Sequence, residues 1–177
     1  SYYVDAQILE DISGYEGLNN IKQVYRDIDE SLELVPTEGT FAIPYMANAA
    51  GILYNRDLFE ENGWKIPNNW NEFITLCKDI KAKGILPFYF GFKDTWSCLA
   101  PWNAIAVGLT EPDTVKKVNR GETNFTTEYA EVAKKYLSLL EYGPESPFAY
   151  SYNDACTAFA SPQCTLSEVM LCHRYFL

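Results

Sequence analysis

The sequence has little of what several classes of protein require. It contains one His, His173, and five Cys without a Cys-x-x-Cys pair, so a zinc site has almost no support. Only 14 Lys and Arg stand against 24 Asp and Glu, and the net charge of −10 argues against a nucleic-acid partner. No apolar run approaches the roughly 18 residues of a membrane span. Hydrophobic residues still make up 47% of the chain, which is enough for a packed core.

The common enzyme motifs are also missing. The sequence has no Gly-x-Ser-x-Gly, no P-loop and no Gly-x-Gly-x-x-Gly, and a Cys–His dyad would have to use His173 near the end of the chain. We therefore predict no catalytic residue, no metal and no cofactor. One enzymatic alternative stays open, because two of the many carboxylates could converge in space as the acid and base of a glycoside hydrolase.

The high aromatic content is the most unusual feature of the composition. Thirteen Tyr, ten Phe and four Trp make up 15% of the chain. They could form a Tyr-rich core, or they could provide flat apolar faces on which the C–H groups of a sugar ring stack. Composition alone does not decide between the two.

Hydrophobic periodicity predicts an α/β protein. A helical stripe runs through Ile21, Val24, Ile28 and Leu32 after a possible N-cap at Asn20. Short strands are predicted at 41–45, 51–54 and 85–92, and further helices at 56–62, 70–83, 102–109, 127–142 and 154–159, with a short one after Pro112. Strands alternating with helices indicate a sheet with ligand-binding loops beyond the carboxyl ends of its strands.

Two segments are candidate ligand-binding loops. In residues 44–51, small side chains would let the backbone approach a ligand, and Asn48 offers both a donor and an acceptor. In residues 91–96, Asp94 could accept hydrogen bonds from hydroxyl groups while Trp96 stacks on a ring face. The structural alternatives are that Asp94 only caps a helix and that Trp96 belongs to the core.

Three consecutive motifs carry a family resemblance. The chain reads Gly-Ile-Leu-Tyr-Asn-x-Asp-Leu-Phe at 51–59, Trp-x-Glu-Phe at 70–73 and Lys-Gly-Ile-x-Pro at 83–87. In this order they resemble the family 1 extracellular solute-binding proteins, which are the sugar receptors of bacterial ABC importers, the broad group that includes maltose-binding protein. The similarity extends over roughly residues 5 to 160, ending in the Ser-Tyr-Asn-Asp-Ala-Cys-Thr-Ala-Phe run at 151–159.

The resemblance implies a partial periplasmic-binding-protein-like fold of type II, in which two α/β lobes are joined by hinge strands. Residues 1–45 would be a remnant of the first lobe with a hinge strand, 46–160 an incomplete second lobe, and 161–177 an atypical tail. It also implies ligand contacts from Asn48, Asp94 and Trp96, with Tyr45 and Trp102 as weaker candidates.

The implied function is that of a non-catalytic receptor that delivers an oligosaccharide or another small polar solute to an ABC permease. Its location would be extracellular or periplasmic, with a lipoprotein anchor on the full-length protein. Members of the family are roughly twice this length, so we expect the chain to be a fragment that self-associates and binds sugar poorly alone. A fragment that only mediates protein interactions is a further alternative. The tail, which lacks a helical or strand period, is expected to pack irregularly or to pair with another copy of the chain, and to make no ligand contact.

Overall fold

The computed structural model of the protein describes residues 2–32, 37–46, 49–161 and 164–171. The chain divides into two compact units, Ser1–Ala47 and Asn48–Leu177. The assignment of these parts of the chain to two lobes stays a prediction. Each unit has its own local structure.

The regular elements described in the first unit are all helices. Helix α1 spans Tyr2–Asp5, a 3-10 helix spans Glu16–Asn20, and helix α2 spans Gln23–Leu32. The predicted N-cap at Asn20 is wrong, because this residue ends the 3-10 helix. The strand predicted at 41–45 is also wrong, since the described residues of this unit provide no strand with which it could pair.

The second unit combines helices with three strands. Its elements, in chain order, are β1 Ala49–Tyr54, α3 Arg56–Asn62, α4 Trp70–Ala82, β2 Leu86–Phe88, α5 Leu99–Leu109, α6 Thr114–Asn119, α7 Phe125–Leu139, α8 Tyr152–Phe159 and β3 Cys164–Leu171. Short 3-10 helices at Thr95–Cys98, Leu140–Tyr142 and Pro147–Ala149 lie between them. The α/β class predicted from the sequence is confirmed.

Side-chain caps explain where the helices begin. The Asn55 side chain accepts a hydrogen bond from the Leu58 N–H at 3.1 Å, and Asn69 accepts one from the Glu72 N–H at 3.0 Å. Helix α3 ends at Gly63, whose φ of 66° lies in the left-handed region that favours glycine. These three positions agree with the sequence prediction.

Strand β3 lies at the centre of the sheet. The strand order is β1-β3-β2, with β1 antiparallel and β2 parallel to β3. The prediction that residues 161–177 pack irregularly is therefore wrong for 164–171. Cys164, Thr165 and Leu166 are all buried, so both faces of the strand are covered at these three residues and no alternation of exposed and buried positions occurs there.

A mostly aromatic core includes residues of this sheet and of the helices packed against it. Its buried members are Phe59, Phe73, Leu76, Cys77, Ile80, Phe88, Phe90, Phe92, Leu139, Tyr142 and Leu166. The ring of Phe90 stacks between Phe88 and Phe92, with centroid distances of 5.5 and 4.8 Å. Much of the phenylalanine content thus serves the core. The strand predicted over 85–92 is regular only at Leu86–Phe88, and the chain then turns into a loop.

The cysteines that pack in this core are small apolar residues. Cys77 is fully buried, and burial raises the pKa of its thiol to about 12. Burial likewise raises the pKa of the Cys164 thiol to about 11. Within residues 2–32, 37–46, 49–161 and 164–171, no group of three His, Cys, Asp or Glu side chains could hold a metal ion. In the same part of the chain, no helix has the length and hydrophobicity needed to span a bilayer.

Candidate ligand-binding site

The loop that follows strand β2, residues 91–98, contains two of the predicted site residues and is called the ligand loop below. Its own hydrogen bonds hold it in a compact turn. The buried Ser97 hydroxyl donates to the Gly91 carbonyl at 3.0 Å or to the Asp94 carbonyl at 2.8 Å. The Ser97 N–H also donates to the Asp94 carbonyl, at 2.8 Å. These hydrogen bonds from Ser97 thus fix the positions of Asp94 and Trp96 in the turn.

The ligand loop is held against the segment that leads into helix α8. The Phe92 N–H donates to the Pro147 carbonyl at 3.1 Å, and the Lys93 N–H donates to the Tyr150 carbonyl at 2.9 Å. Gly91 lies so close to this segment that a Cβ atom there would be 2.5 Å from the Ser151 carbonyl oxygen. Only glycine permits this approach of two backbones.

The Asp94 carboxylate binds the beginning of helix α8. Asp94 occupies the N-cap position of the 3-10 helix Thr95–Cys98, but its side chain makes no capping bond there. Instead its Oδ2 atom accepts a hydrogen bond from the Tyr152 N–H at 2.7 Å. A carboxylate at a helix N-terminus also interacts favourably with the helix dipole. The bond uses one of the two carboxylate oxygens.

Helix α8 has an N-terminal cap of its own beside Asp94. The Ser151 hydroxyl accepts from the Asp154 N–H at 3.2 Å, while Asp154 Oδ2 accepts from the Ser151 N–H at 2.8 Å, which completes a capping box. The bonds from the Ser151 backbone and hydroxyl lower the pKa of Asp154. The first turn of α8 is therefore well fixed where the ligand loop meets it.

Trp96 is a half-exposed residue beside a second aromatic ring. Its side chain is 49% exposed, so the core alternative does not describe it. The indole lies 5.0 Å from the Tyr152 ring between centroids, with the planes tilted by 52°. Asp94 and Trp96 thus both contact Tyr152, and an apolar face, a carboxylate and a phenol ring lie together at one end of the sheet.

Of the other predicted residues, Trp102 packs in an aromatic cluster with residues of helix α7. Trp102 stacks on Phe125 and Tyr129 at centroid distances of 6.0 and 6.1 Å, which packs helix α5 on helix α7. Tyr45 belongs to the first unit and is 91% exposed. Asn48 lies outside the described residues. The ligand contacts of all five predicted residues stay predictions.

Comparison with known proteins decides the family. The sequence model of the family described as "Bacterial extracellular solute-binding protein" matches residues 1–166. The chain belongs to this family. The match includes the ligand loop and the first three residues of β3, and it confirms the resemblance found in the three sequence motifs.

Individual members of the family agree with this result. The chain is 27% identical over 164 residues to the multiple sugar-binding protein of Streptococcus mutans, covering 88% of this chain and 38% of that protein. It is 34% identical over 88 residues to a diacetylchitobiose binding protein of Streptomyces coelicolor, covering 47% of this chain and 17% of that one. The chain therefore spans well under half the length of these relatives.

Solved structures of the family show the same fold. RafE of Streptococcus pneumoniae in its apo form superimposes with a TM-score of 0.73 at 28% identity, covering 94% of this chain and 43% of RafE. A structure of RafE in complex with raffinose gives a TM-score of 0.64 at the same identity, covering 94% and 44%. The chain thus has part of the fold of these receptors.

Sequence reasoning did not find Tyr152 or Ser97. Tyr152 follows Asp94 by more than fifty residues, and nothing in the local pattern links the two positions. The available signal was the Ser-x-x-Asp spacing at 151–154, which is typical of a capping box and marks where α8 begins. This spacing marks the start of the helix but does not show that the ligand loop packs against it.

Proposed function

We propose that the chain is part of a bacterial receptor that captures a sugar or oligosaccharide outside the cytoplasm and delivers it to an ABC import permease without catalysis. The observation that carries this proposal is the arrangement on the ligand loop, where the half-exposed indole of Trp96 lies beside the carboxylate of Asp94. A location in the periplasm or on the cell surface, with a lipoprotein anchor, belongs to the same proposal.

The chemistry of this arrangement suits a neutral polyhydroxylated ligand. An indole provides a flat apolar face for the C–H groups of a sugar ring, while a carboxylate accepts hydrogen bonds from hydroxyl groups. Because the loop is fixed by its own hydrogen bonds and by α8, binding would cost little conformational entropy. These features support a preformed sugar subsite.

The relatives support the same ligand class. One is named a multiple sugar-binding protein, another a diacetylchitobiose binding protein, and RafE has been solved with raffinose. We therefore expect an oligosaccharide, and raffinose and diacetylchitobiose are the first compounds to test. They are called the test sugars below.

No observation favours the hydrolase alternative. Among the described residues, every carboxyl group with a shifted pKa has it lowered by hydrogen bonds, as the Ser151 bonds do for Asp154 and the Asn68 bonds do for Glu72. The general acid of a glycosidase needs the opposite shift. A binding role therefore agrees better with the electrostatics.

The proposal is tested by replacing Trp96 in the longer protein of which we propose this chain is a part. Trp96→Ala should weaken binding of a test sugar by about 1–2 kcal/mol or more, because the stacking face is lost. Calorimetric titration measures the dissociation constant. Phe148→Ala is the control, since this ring is 65% exposed and its described ring contact is with the buried Phe92 at the start of the ligand loop rather than with Trp96. An unchanged dissociation constant for Trp96→Ala would contradict the proposal.

A second test concerns the charge of Asp94. Asp94→Asn keeps an oxygen that can accept from the Tyr152 N–H, so the fold should be unchanged, but it removes the charge that strengthens hydrogen bonds to sugar hydroxyls. We expect about tenfold weaker binding by the same titration. Asp79→Asn, on the exposed side of α4, removes an equal charge and should leave the affinity unchanged. Equal affinities for the two variants would show that Asp94 serves only to hold α8.

We also propose that the isolated chain self-associates. Helix α2 exposes an apolar stripe in the first unit, with Val24 at 55% and Ile28 at 48% exposure. Strand β1, at the edge of its sheet, exposes Ile52 and Leu53 in the second unit. Apolar surfaces of this kind are typical of protein contacts.

A further inference from the structure

We propose that Tyr152 is a positioning residue of the sugar subsite, which holds the Trp96 indole in its stacking orientation and closes one end of it. This inference rests on the proposed function. It assigns a role in binding to a residue on helix α8, which lies outside the ligand loop and was not among the predicted site residues.

Tyr152 is joined to both functional side chains of the ligand loop. Its backbone N–H donates to Asp94 Oδ2 at 2.7 Å, and its ring lies 5.0 Å from the Trp96 ring between centroids. A single residue therefore contacts both the carboxylate and the indole. Loss of the ring would leave the indole without this contact on a side chain that is already half exposed.

The position of Tyr152 is itself well determined. It follows Ser151 of the capping box and is the first residue of α8. Two residues before it, the Tyr150 carbonyl accepts a hydrogen bond from the Lys93 N–H at 2.9 Å. At Gly91 the loop backbone approaches Tyr152 so closely that a Cβ atom would be 2.7 Å from the Tyr152 Cα atom. The loop and the start of the helix thus form one local unit.

The tilt of the two rings gives the pair a shape that a single ring lacks. At 52° the ring planes are neither parallel nor perpendicular, so the two rings do not form one continuous flat face. A sugar ring stacked on Trp96 would meet the edge or face of Tyr152 at one end and could not slide past it. A fixed indole also loses less conformational freedom on binding than a mobile one.

The experiment uses Tyr152→Ala, Tyr152→Phe and Tyr152→Leu in the longer protein, titrated with whichever test sugar the wild type binds. Alanine and leucine remove the aromatic ring, and we expect each to weaken binding about tenfold. Phenylalanine keeps the ring and should stay within about twofold of the wild type. Tyr150→Ala is the matched control, because this ring packs on Tyr89, 4.9 Å away, and makes no described contact with Trp96.

The outcomes separate this inference from the proposed function. If Trp96→Ala weakens binding while Tyr152→Ala and Tyr152→Leu do not, the positioning role is overturned and the receptor function stands. If the phenylalanine variant loses as much sugar affinity as the alanine variant, contact between the rings does not cause the loss and the inference is also overturned. If the wild type binds no sugar, both fail. Melting temperatures measured beside each titration identify a variant that fails to fold, in which case the leucine variant decides.

Discussion

Replacing Gly91 by alanine is expected to lower the free energy of unfolding by about 3 kcal/mol, the upper part of the range for overpacked sites. The new Cβ atom would lie 2.5 Å from the Ser151 carbonyl oxygen and 2.7 Å from the Ser151 carbonyl carbon. Both are backbone atoms at the capped start of α8, so neither can rotate away as a side chain would. The ligand loop and the helix must separate, and the bond from the Tyr152 N–H to Asp94 should lengthen or break.

Urea unfolding measures this loss, and sugar affinity should fall with it. Gly108→Ala is the matched control, because a Cβ atom at Gly108 in helix α5 meets nothing within 4 Å. Alanine is a better helix former than glycine, so this variant should be as stable as the wild type or up to about 1 kcal/mol more stable. Equal stabilities of the Gly91 and Gly108 variants would show that the loop moves freely relative to α8.

The isolated 177-residue chain is expected to bind the test sugars at least about 100-fold more weakly than the longer protein. A micromolar site needs about 8 kcal/mol of net binding free energy, after the entropic cost of association. One indole and one carboxylate on the ligand loop provide only part of this. The same chain should form dimers or larger assemblies through the exposed apolar residues of α2 and β1.

Calorimetry and multi-angle light scattering test the two halves of this expectation. Val24→Lys together with Ile28→Lys should shift the scattering mass toward that of a monomer, if the stripe on α2 mediates association. Val107→Lys, at a position on α5 that is 81% exposed, adds a charge elsewhere and should change the mass less. A monomer of wild-type sequence that binds an oligosaccharide at micromolar concentration would refute both halves.

The helices could be predicted because their signals are local. Asn55, Asn69 and Gly63 act through bonds to residues three or four positions away, so the sequence at each position contains the whole cause. Strand β1 was found in the same way, from an apolar run bounded by turn residues. The helices and strand β1 of the second unit follow from short-range chemistry.

Strand β3 and the site partner Tyr152 could not be predicted in this way. Leu166 pairs with β1 and β2 and is buried in the core, and all of these partners are far away in the sequence. The loop at 91–98 suggested Asp94 and Trp96 as neighbours, yet their shared contact on α8 depends on the close approach at Gly91. Causes of this kind lie in the packing of distant segments, which periodicity does not record.

The central position of β3 has a consequence for biosynthesis. β1 and β2 both pair with β3, which is synthesised after every other described element of its sheet. Until residues 164–171 leave the ribosome, the two earlier strands have no partner strand for their backbone hydrogen bonds. The apolar edge of β1 meanwhile stays open to other nascent chains. A chaperone that holds residues 49–88 would therefore be needed until residues 164–171 have emerged from the ribosome.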